Sequence, residues 1–217
     1  MYCTGNPIKY ADPSGEYIEV TIEGENTYVI TGGEPNNDKN IYIMENGSRT
    51  GKTLGKMLTT HSFFDDNGEI VKAIINTTDM SGQNFFDDEI VRSEIGLHEY
   101  MPNATGYKRY DFKTRGMQKN GWSEKEKERY KYRGMPFKGE GGKIFYASAR
   151  DIGNFSAGYI AGIKGFSWEF ARSVFDALET IQNNHSFLNF KFYEEPQVSQ
   201  RAQKIGHSIG YRKSNRK

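Results

Sequence analysis

The first half of the chain alternates apolar and polar residues with a period of two, which is the spacing of a β-strand with one buried face. Residues 17–22 read Tyr-Ile-Glu-Val-Thr-Ile, residues 24–26 have the composition of a turn, and the alternation resumes over residues 27–31. Two alternating runs that are joined by a short turn predict a β-hairpin.

Three more strands are predicted before residue 76. The apolar run at residues 41–44 is followed by Glu45-Asn46-Gly47, which favours a strand and a tight turn. Residues 54–75 are rich in Thr, Phe and Ile, but Asp65-Asp66-Asn67-Gly68 interrupts them, so they predict two strands with a turn between them. The first half is therefore expected to be mainly β.

The last third of the chain has the period of a helix. After Arg150, small residues recur four positions apart, at Gly153, Ala157 and Ala161 and again at Gly158 and Gly162. On a helix these residues form a flat stripe where the backbone of another element can approach closely. Because strands come first and helices follow, the sequence predicts an α+β fold.

Two further helices are expected after the glycine-striped one. Ser167 is a suitable N-cap, and a final helix should begin near Ser199 and turn Ala202, Ile205 and Ile209 inward. The predicted apolar face of the helix after Ser167 consists of Phe170, Val174, Ala177, Leu178 and Ile181. The whole prediction is antiparallel β-hairpins and strands, followed by a C-terminal domain with three main helices packed on strands.

A strongly charged connector, residues 116–142, separates the two halves. Its residues 123–129 read Ser-Glu-Lys-Glu-Lys-Glu-Arg, which predicts either a short exposed helix or a mobile loop. In both cases the charges are expected to face solvent.

The composition excludes several classes of protein. The chain has 29 Lys and Arg against 28 Asp and Glu, so a nucleic-acid contact would need a local patch rather than bulk charge. Cys3 is the only cysteine, which rules out an internal disulfide and a cysteine-ligated zinc site. No run of roughly 20 apolar residues occurs, and Lys164 and Glu169 interrupt the apolar stretch near the glycine stripe. We therefore expect no membrane insertion.

The N-terminal residues contain two turn motifs, Asn6-Pro7 and Asp12-Pro13-Ser14-Gly15. The string YCTGNPIKYADPSGEY resembles the end of the core domain of RHS-repeat proteins, whose shells finish with such a segment before a variable C-terminal domain. In that family two Asp-Pro-x-Gly segments cooperate in self-cleavage, and only the second is present here. The resemblance implies that residues 1–16 end an RHS core and that Asp12, Pro13 and Gly15 are the remnant of the self-cleavage motif.

The C-terminal half resembles the polymorphic toxin domain called bacterial toxin 44. The resemblance rests on Tyr110-Asp111-Phe112-Lys113, on Arg150-Asp151-Ile152-Gly153-Asn154 and on the glycines at 158, 162 and 165. Members of that family are regarded as predicted ribonucleases on RHS and other secreted carriers. The resemblance implies a β-rich pretoxin region over residues 17–106 and a toxin domain over residues 107–217.

The implied function is that of the C-terminal toxin of an RHS-type effector, with ribonuclease as the expected activity. Such a toxin would be secreted with its RHS carrier shell, act on RNA in the cytoplasm of a competing bacterium, and be neutralised by a cognate immunity protein. Two alternatives stay open: a non-nuclease toxin, such as a peptidoglycan or nucleotide hydrolase, and a catalytically inactive RHS tail.

The residues themselves indicate a catalytic set. If residues 110–113 form a strand, Asp111 and Lys113 share one face of it. Arg150, Asp151 and Asn154 stand where a helix should begin, and there they can either cap the helix or help its exposed amides to bind a phosphate. If the two elements meet, acid/base groups and cations would surround an anion, an arrangement that suits cleavage of a phosphodiester.

Further catalytic and substrate-binding candidates are His98, His207, Lys108, Arg109, Arg172 and Asp176. The histidines are included because histidine titrates near neutrality. Lys108 and Arg109 open a segment, residues 107–133, in which basic residues are interleaved with Tyr and Trp, a mixture that suits phosphates and unpaired bases. No HExxH or HxH spacing occurs, so no metal site and no cofactor are predicted, and the need for a divalent metal is left open.

Overall fold

The computed structural model describes residues 17–34, 37–118, 120–183 and 196–216. Within these residues it shows a mixed seven-stranded sheet and six α-helices, and the prediction of an α+β fold is confirmed. The motif residues Asp12, Pro13 and Gly15 lie outside the described residues.

The elements follow in chain order. The strands are β1 (Tyr17–Gly24), β2 (Thr27–Glu34), β3 (Asn40–Glu45), β4 (Ser48–Lys56), β5 (Ile74–Asn76), β6 (Gly134–Lys138) and β7 (Ile144–Ser148). The helices are α1 (Ser81–Asn84), α2 (Leu97–Asn103), α3 (Glu124–Lys131), α4 (Ala149–Ile163), α5 (Trp168–Asn183) and α6 (Gln197–Ser214). A π-helical segment, Phe85–Val91, continues α1, and 3₁₀ turns span Phe112–Thr114 and Glu140–Gly142.

The sheet has the order β4-β3-β1-β2-β5-β6-β7. Its two edges meet just beyond β4, where Met57 forms a parallel bridge with Tyr146 of β7 and the Leu58 amide donates to the Tyr146 carbonyl at 2.9 Å. The sheet therefore curls around an apolar core. The buried residues of this core are Ile18, Val20, Ile30, Ile41, Met57, Phe63, Phe64, Val71, Ala73, Ile75 and Tyr132.

The predicted hairpin and third strand are confirmed as β1, β2 and β3, but the prediction of two strands within residues 54–75 is wrong. Only the end of β4 and the start of β5 fall there, and the chain between them turns, with a single bridge from Phe64 to Ile70. The connector also contains β6, which the sequence analysis did not predict, and β7 follows it. Its charged stretch is the short helix α3, which Ser123 and Glu126 start with reciprocal side-chain-to-backbone hydrogen bonds.

Strands from both sides of the predicted boundary at residues 106 and 107 belong to one sheet. β5 pairs with β6 in parallel through Ile75 and Gly134, so the two predicted regions share backbone hydrogen bonding. The boundary itself stays a prediction.

Helix α4 follows β7 without a loop and crosses α6 at very short range. A Cβ atom added at Gly158 would lie 1.9 Å from the carbonyl oxygen of Gln203, and one at Gly206 would lie 2.0 Å from that of Phe155. Only glycine fits at such a crossing, because any side chain would collide with the opposite backbone. The predicted flat stripe on α4 therefore packs against α6, and α6 has glycines of its own at the crossing.

The apolar face predicted for α5 is wrong in part. Ser167 caps the helix as expected, since its Oγ accepts from the Phe170 amide at 3.2 Å. However, Phe170 and Ala177 are exposed, while Ala171 and Phe175 are buried. The side chain of Ile181 is outside the described part of the structure. On α6, Ala202 is buried and Ile205 and Ile209 pack against the core, as predicted.

Among the described residues, no helix combines the length and the apolar character that crossing a membrane requires.

Candidate active site

A polar cleft lies where the start of α4 meets the 3₁₀ turn at Phe112–Thr114, with α2, α5 and α6 contributing the other walls. Its volume is about 80 Å³, enough for a few water molecules or one phosphate-sized group. The polar and charged residues on its lining include Asp111, Lys113, Asn154, Glu179, Gln203 and Arg150. The two elements that the sequence analysis paired therefore do border one cavity.

The segment that carries Asp111 and Lys113 is a turn, so the prediction of a strand at residues 110–113 is wrong. Its backbone groups bond locally: the Asp111 amide donates to the Lys108 carbonyl at 3.1 Å, and the Thr114 amide donates to the Asp111 carbonyl at 3.2 Å. Tyr107 just before it has a left-handed backbone, with φ of 65°. These local bonds leave no ladder for a neighbouring strand.

The carboxylate of Asp111 is buried and only partly hydrogen-bonded. It is 2% exposed, its Oδ2 accepts from the Tyr107 amide at 3.0 Å, and its Oδ1 has no hydrogen-bond partner within the described chain. A buried carboxylate oxygen without a partner is costly and uncommon in folded proteins. Since Asp111 lines the cleft, a bound molecule could supply the missing donor.

Two more cleft side chains are not used by the fold. Lys113 and Asn154 are both half-buried, and within the described residues neither the Lys113 ammonium nor the Asn154 amide group makes a hydrogen bond or an ion pair. The turn that carries Lys113 is nevertheless held firmly. Arg133 donates to the carbonyls of Lys113 and Phe112 at 3.0 and 2.9 Å.

Arg150 borders the cleft, but both terminal nitrogens of its guanidinium are already engaged, and only Nε has no hydrogen-bond partner within the described residues. Its Nη1 donates to the Tyr132 hydroxyl at 2.5 Å, its Nη2 donates to the His61 carbonyl at 3.1 Å, and its Cζ lies 4.6 Å from the centre of the Tyr132 ring. The expected phosphate-binding fork is therefore occupied by the protein itself. Arg150 ties the start of α4 to the turn after β4 rather than presenting two free donors.

Asp151 does not line the cleft. It is fully buried, and its Oδ2 accepts from Ser62 Oγ at 2.6 Å and from Thr59 Oγ1 at 3.3 Å. Its amide donates to Ser148 Oγ, which is the actual N-cap of α4. Burial raises the pKa of the Asp151 carboxyl, although Arg150 and the hydroxyl donors act in the opposite direction. The placement assigns this residue to the architecture of the helix start.

Neither candidate histidine lines the cleft. His98 is exposed on α2, and His207 is buried on α6, where its Nε2 lies 2.8 Å from the Phe166 carbonyl oxygen. Trp168 and Tyr211 pack on the two sides of the His207 ring. A role for either histidine at Asp111 is not supported by this placement.

The remaining substrate-binding candidates lie outside the cleft lining. Lys108 donates to the Pro102 carbonyl at 2.8 Å, and Arg109 pairs with Glu89 at 3.7 Å. In the interleaved segment 107–133, Tyr110 and Tyr132 are buried, so these two rings offer no exposed face for a base.

Arg172 and Asp176 do not line the cleft but contact a residue that does. The Arg172 guanidinium bonds to Asp176 and donates to Gln203 Oε1 at 3.1 Å, and Gln203 is part of the cleft lining. The sequence analysis missed Gln203 and Glu179. Glu179 lies one helical turn after the candidate Asp176, and this spacing was a sequence signal for it. No sequence pattern indicated Gln203, because only the folded chain places it opposite Gly158.

In the part of the chain that the structure describes, no group of three or more His, Cys, Asp and Glu side chains is placed to hold a metal ion. Comparison with known proteins adds no relative: no family model, no curated protein and no solved structure matches the chain.

Proposed function

We propose that this chain is a toxin of the RHS type that cleaves RNA, and that the cleft at Asp111 is its active site. One observation carries the proposal. Asp111, Lys113 and Asn154 line the same small cleft, and within the described residues no hydrogen bond or ion pair uses Asp111 Oδ1, the Lys113 ammonium or the Asn154 amide. Such a set has the acid/base and charge-stabilising groups that phosphodiester cleavage needs.

In the proposed reaction the 2′-hydroxyl of the substrate attacks the adjacent phosphorus. Asp111 takes the proton from that hydroxyl, and the Lys113 ammonium stabilises the extra negative charge on the phosphoryl oxygens. Asn154 donates to one of these oxygens. The bond from phosphorus to the 5′-oxygen breaks, a water molecule gives a proton to the leaving oxygen, and the products are a 2′,3′-cyclic phosphate and a 5′-hydroxyl.

The biological setting belongs to the same proposal and rests on the resemblance of the N-terminal string and of the C-terminal motifs. An RHS carrier would deliver the chain into the cytoplasm of a competing bacterium. A cognate immunity protein would neutralise it in the producing cell.

The test is incubation of the purified chain with total RNA and, separately, with single-stranded DNA. We expect shortened RNA with 2′,3′-cyclic phosphate ends and intact DNA, because DNA has no 2′-hydroxyl. RNA that stays intact at equal molar amounts of protein would refute the proposal. Peptidoglycan and free nucleotides, added in parallel, would then show whether the chain is a different hydrolase.

A further inference from the structure

A second depression lies on the other side of α6 and differs in charge from the cleft. Its volume is about 360 Å³, and it opens between α6 and the turn that follows β4. Its charged lining residues are Lys39, Arg201, Lys204 and Arg212, and none of its lining residues is acidic. We call these four residues and the space between them the basic groove.

The basic groove is a local feature of a chain whose total charge is almost balanced. From Pro196 to Lys217 the sequence has no Asp or Glu, although the whole chain has 28 of them. Arg201 and Lys204 are exposed, and neither forms an ion pair with a carboxylate in the described residues. Arg201 instead donates to the neutral hydroxyl of Thr60 at 2.5 Å, so its positive charge is not cancelled.

The spacing of the cations indicates a long anion. From Arg201 to Arg212 the helix rises about 16 Å, at 1.5 Å per residue. A single phosphate cannot contact cations that are spread over such a length, whereas a chain of phosphates can.

The basic groove and the cleft have a wall in common at α6 and are linked by contacts of the turn after β4. Gln203 borders the cleft and its neighbour Lys204 borders the groove. On the other side, Thr60 Oγ1 lies 3.0 Å from His61 Nδ1, and the His61 carbonyl accepts from Arg150. The groove and the cleft therefore lie close together but open on different sides of α6.

We propose that the basic groove binds the phosphodiester backbone of a single-stranded RNA. This inference rests on the proposed function for its choice of RNA. It assigns backbone binding to α6, whereas the sequence pattern placed substrate binding in residues 107–133.

The test uses a fluorescent 2′-O-methyl oligonucleotide of about 12 nucleotides, a length within the range that single-strand binding surfaces cover. This probe cannot be cleaved through its 2′-oxygen, so binding can be measured whether or not the chain cleaves RNA. The groove variant is Arg201→Gln/Lys204→Gln, and the matched control is Lys52→Gln/Lys72→Gln, which removes two exposed positive charges elsewhere.

We expect the groove variant to bind the probe about tenfold more weakly at low salt, with a shallower dependence of log Kd on log salt, and the control to bind like the wild type. Equal affinity of the groove variant and the wild type, or no binding by the wild type, would overturn the inference and make an acidic protein surface the next occupant to test. Binding through the groove with no cleavage of natural RNA would overturn only the proposed function.

Discussion

Two buried aspartates, 40 residues apart in sequence, have different surroundings. Asp151 is fully buried, accepts from two hydroxyl groups in the turn after β4, lies 3.8 Å from Arg150 Nη2, and does not line the cleft. In both residues one carboxylate oxygen, Oδ1, has no hydrogen-bond partner within the described residues. Asp111 differs because it accepts from only one backbone amide and borders the cleft. Burial alone therefore does not distinguish a reacting carboxylate from a structural one. The proposed role of Asp111 rests instead on the adjoining cleft and on the unused polar side chains that share it.

The comparison also separates two roles within the motif Arg150-Asp151-Ile152-Gly153-Asn154. Arg150 and Asp151 face inward and hold the helix start against the turn after β4. Asn154 lies one turn further along α4, and it borders the cleft with an unused side chain. The first part of the motif holds the helix start in place, and the last part borders the cleft.

The largest expected effect comes from Gly158→Ala, because it should displace α4, which carries Asp151 and forms one wall of the cleft at Asp111. The new Cβ would lie 1.9 Å from the Gln203 carbonyl oxygen, so α4 and α6 would have to separate. We expect a loss of about 3 kcal/mol or more in the free energy of unfolding, measured by urea denaturation.

Gly153→Ala is the matched control for that variant on the same helix. A Cβ atom at Gly153 meets nothing within 4 Å, and alanine favours a helix over glycine by about 1 kcal/mol. We expect the control to be as stable as the wild type or more stable. Equal destabilisation by the two alanines would contradict the close crossing of α4 and α6.

A smaller effect should distinguish Asp151 through the pH dependence of stability. Burial raises the pKa of its carboxyl in the folded state, so the unfolded chain loses this proton first as the pH rises from about 4. The free energy of unfolding of the wild type should therefore fall, relative to Asp151→Asn, as the pH rises above that value. Urea denaturation of both proteins between pH of about 4 and about 8 measures the difference.

Two results would contradict this: the difference in the free energy of unfolding between the two proteins stays constant over this range, or the wild type becomes relatively more stable as the pH rises. Either result would show that burial does not raise the pKa of the Asp151 carboxyl. The assignment of Asp151 to the architecture of α4 predicts in addition that Asp151→Asn, where it is folded, still cleaves RNA.

The sequence predicted those elements whose signals are local. The alternation of β1 and β2 and the capping residues Ser123 and Ser167 needed no distant partner to be recognised. β4 was placed too late, because Ser48–Lys56 is polar and contains glycines, one of which, Gly51, has a left-handed backbone with φ of 78°. Its pairing with β3 gives it a strand conformation that its own composition does not favour.

The candidate site was predicted in outline because its two elements have recognisable motifs. The direction of each side chain could not be predicted, since Asp111 and Lys113 lie on a turn whose shape depends on bonds to Arg133 and Tyr107. Arg150 similarly turns toward Tyr132, which is 18 residues away in sequence. Gln203 and Glu179 enter the cleft only because α5 and α6 fold back on α4.

The most direct test of the account compares the RNA cleavage rates of Asp111→Asn, the wild type and Asp88→Asn, whose altered aspartate is exposed and pairs with Arg92 at 3.0 Å. We expect Asp111→Asn to lower the rate by about 10²- to 10⁴-fold, as for loss of a general base, and to unfold at the same or a higher temperature than the wild type. Asp88→Asn should cleave at the wild-type rate. A folded Asp111→Asn protein that cleaves RNA as fast as the wild type would contradict the assignment of the cleft as the active site.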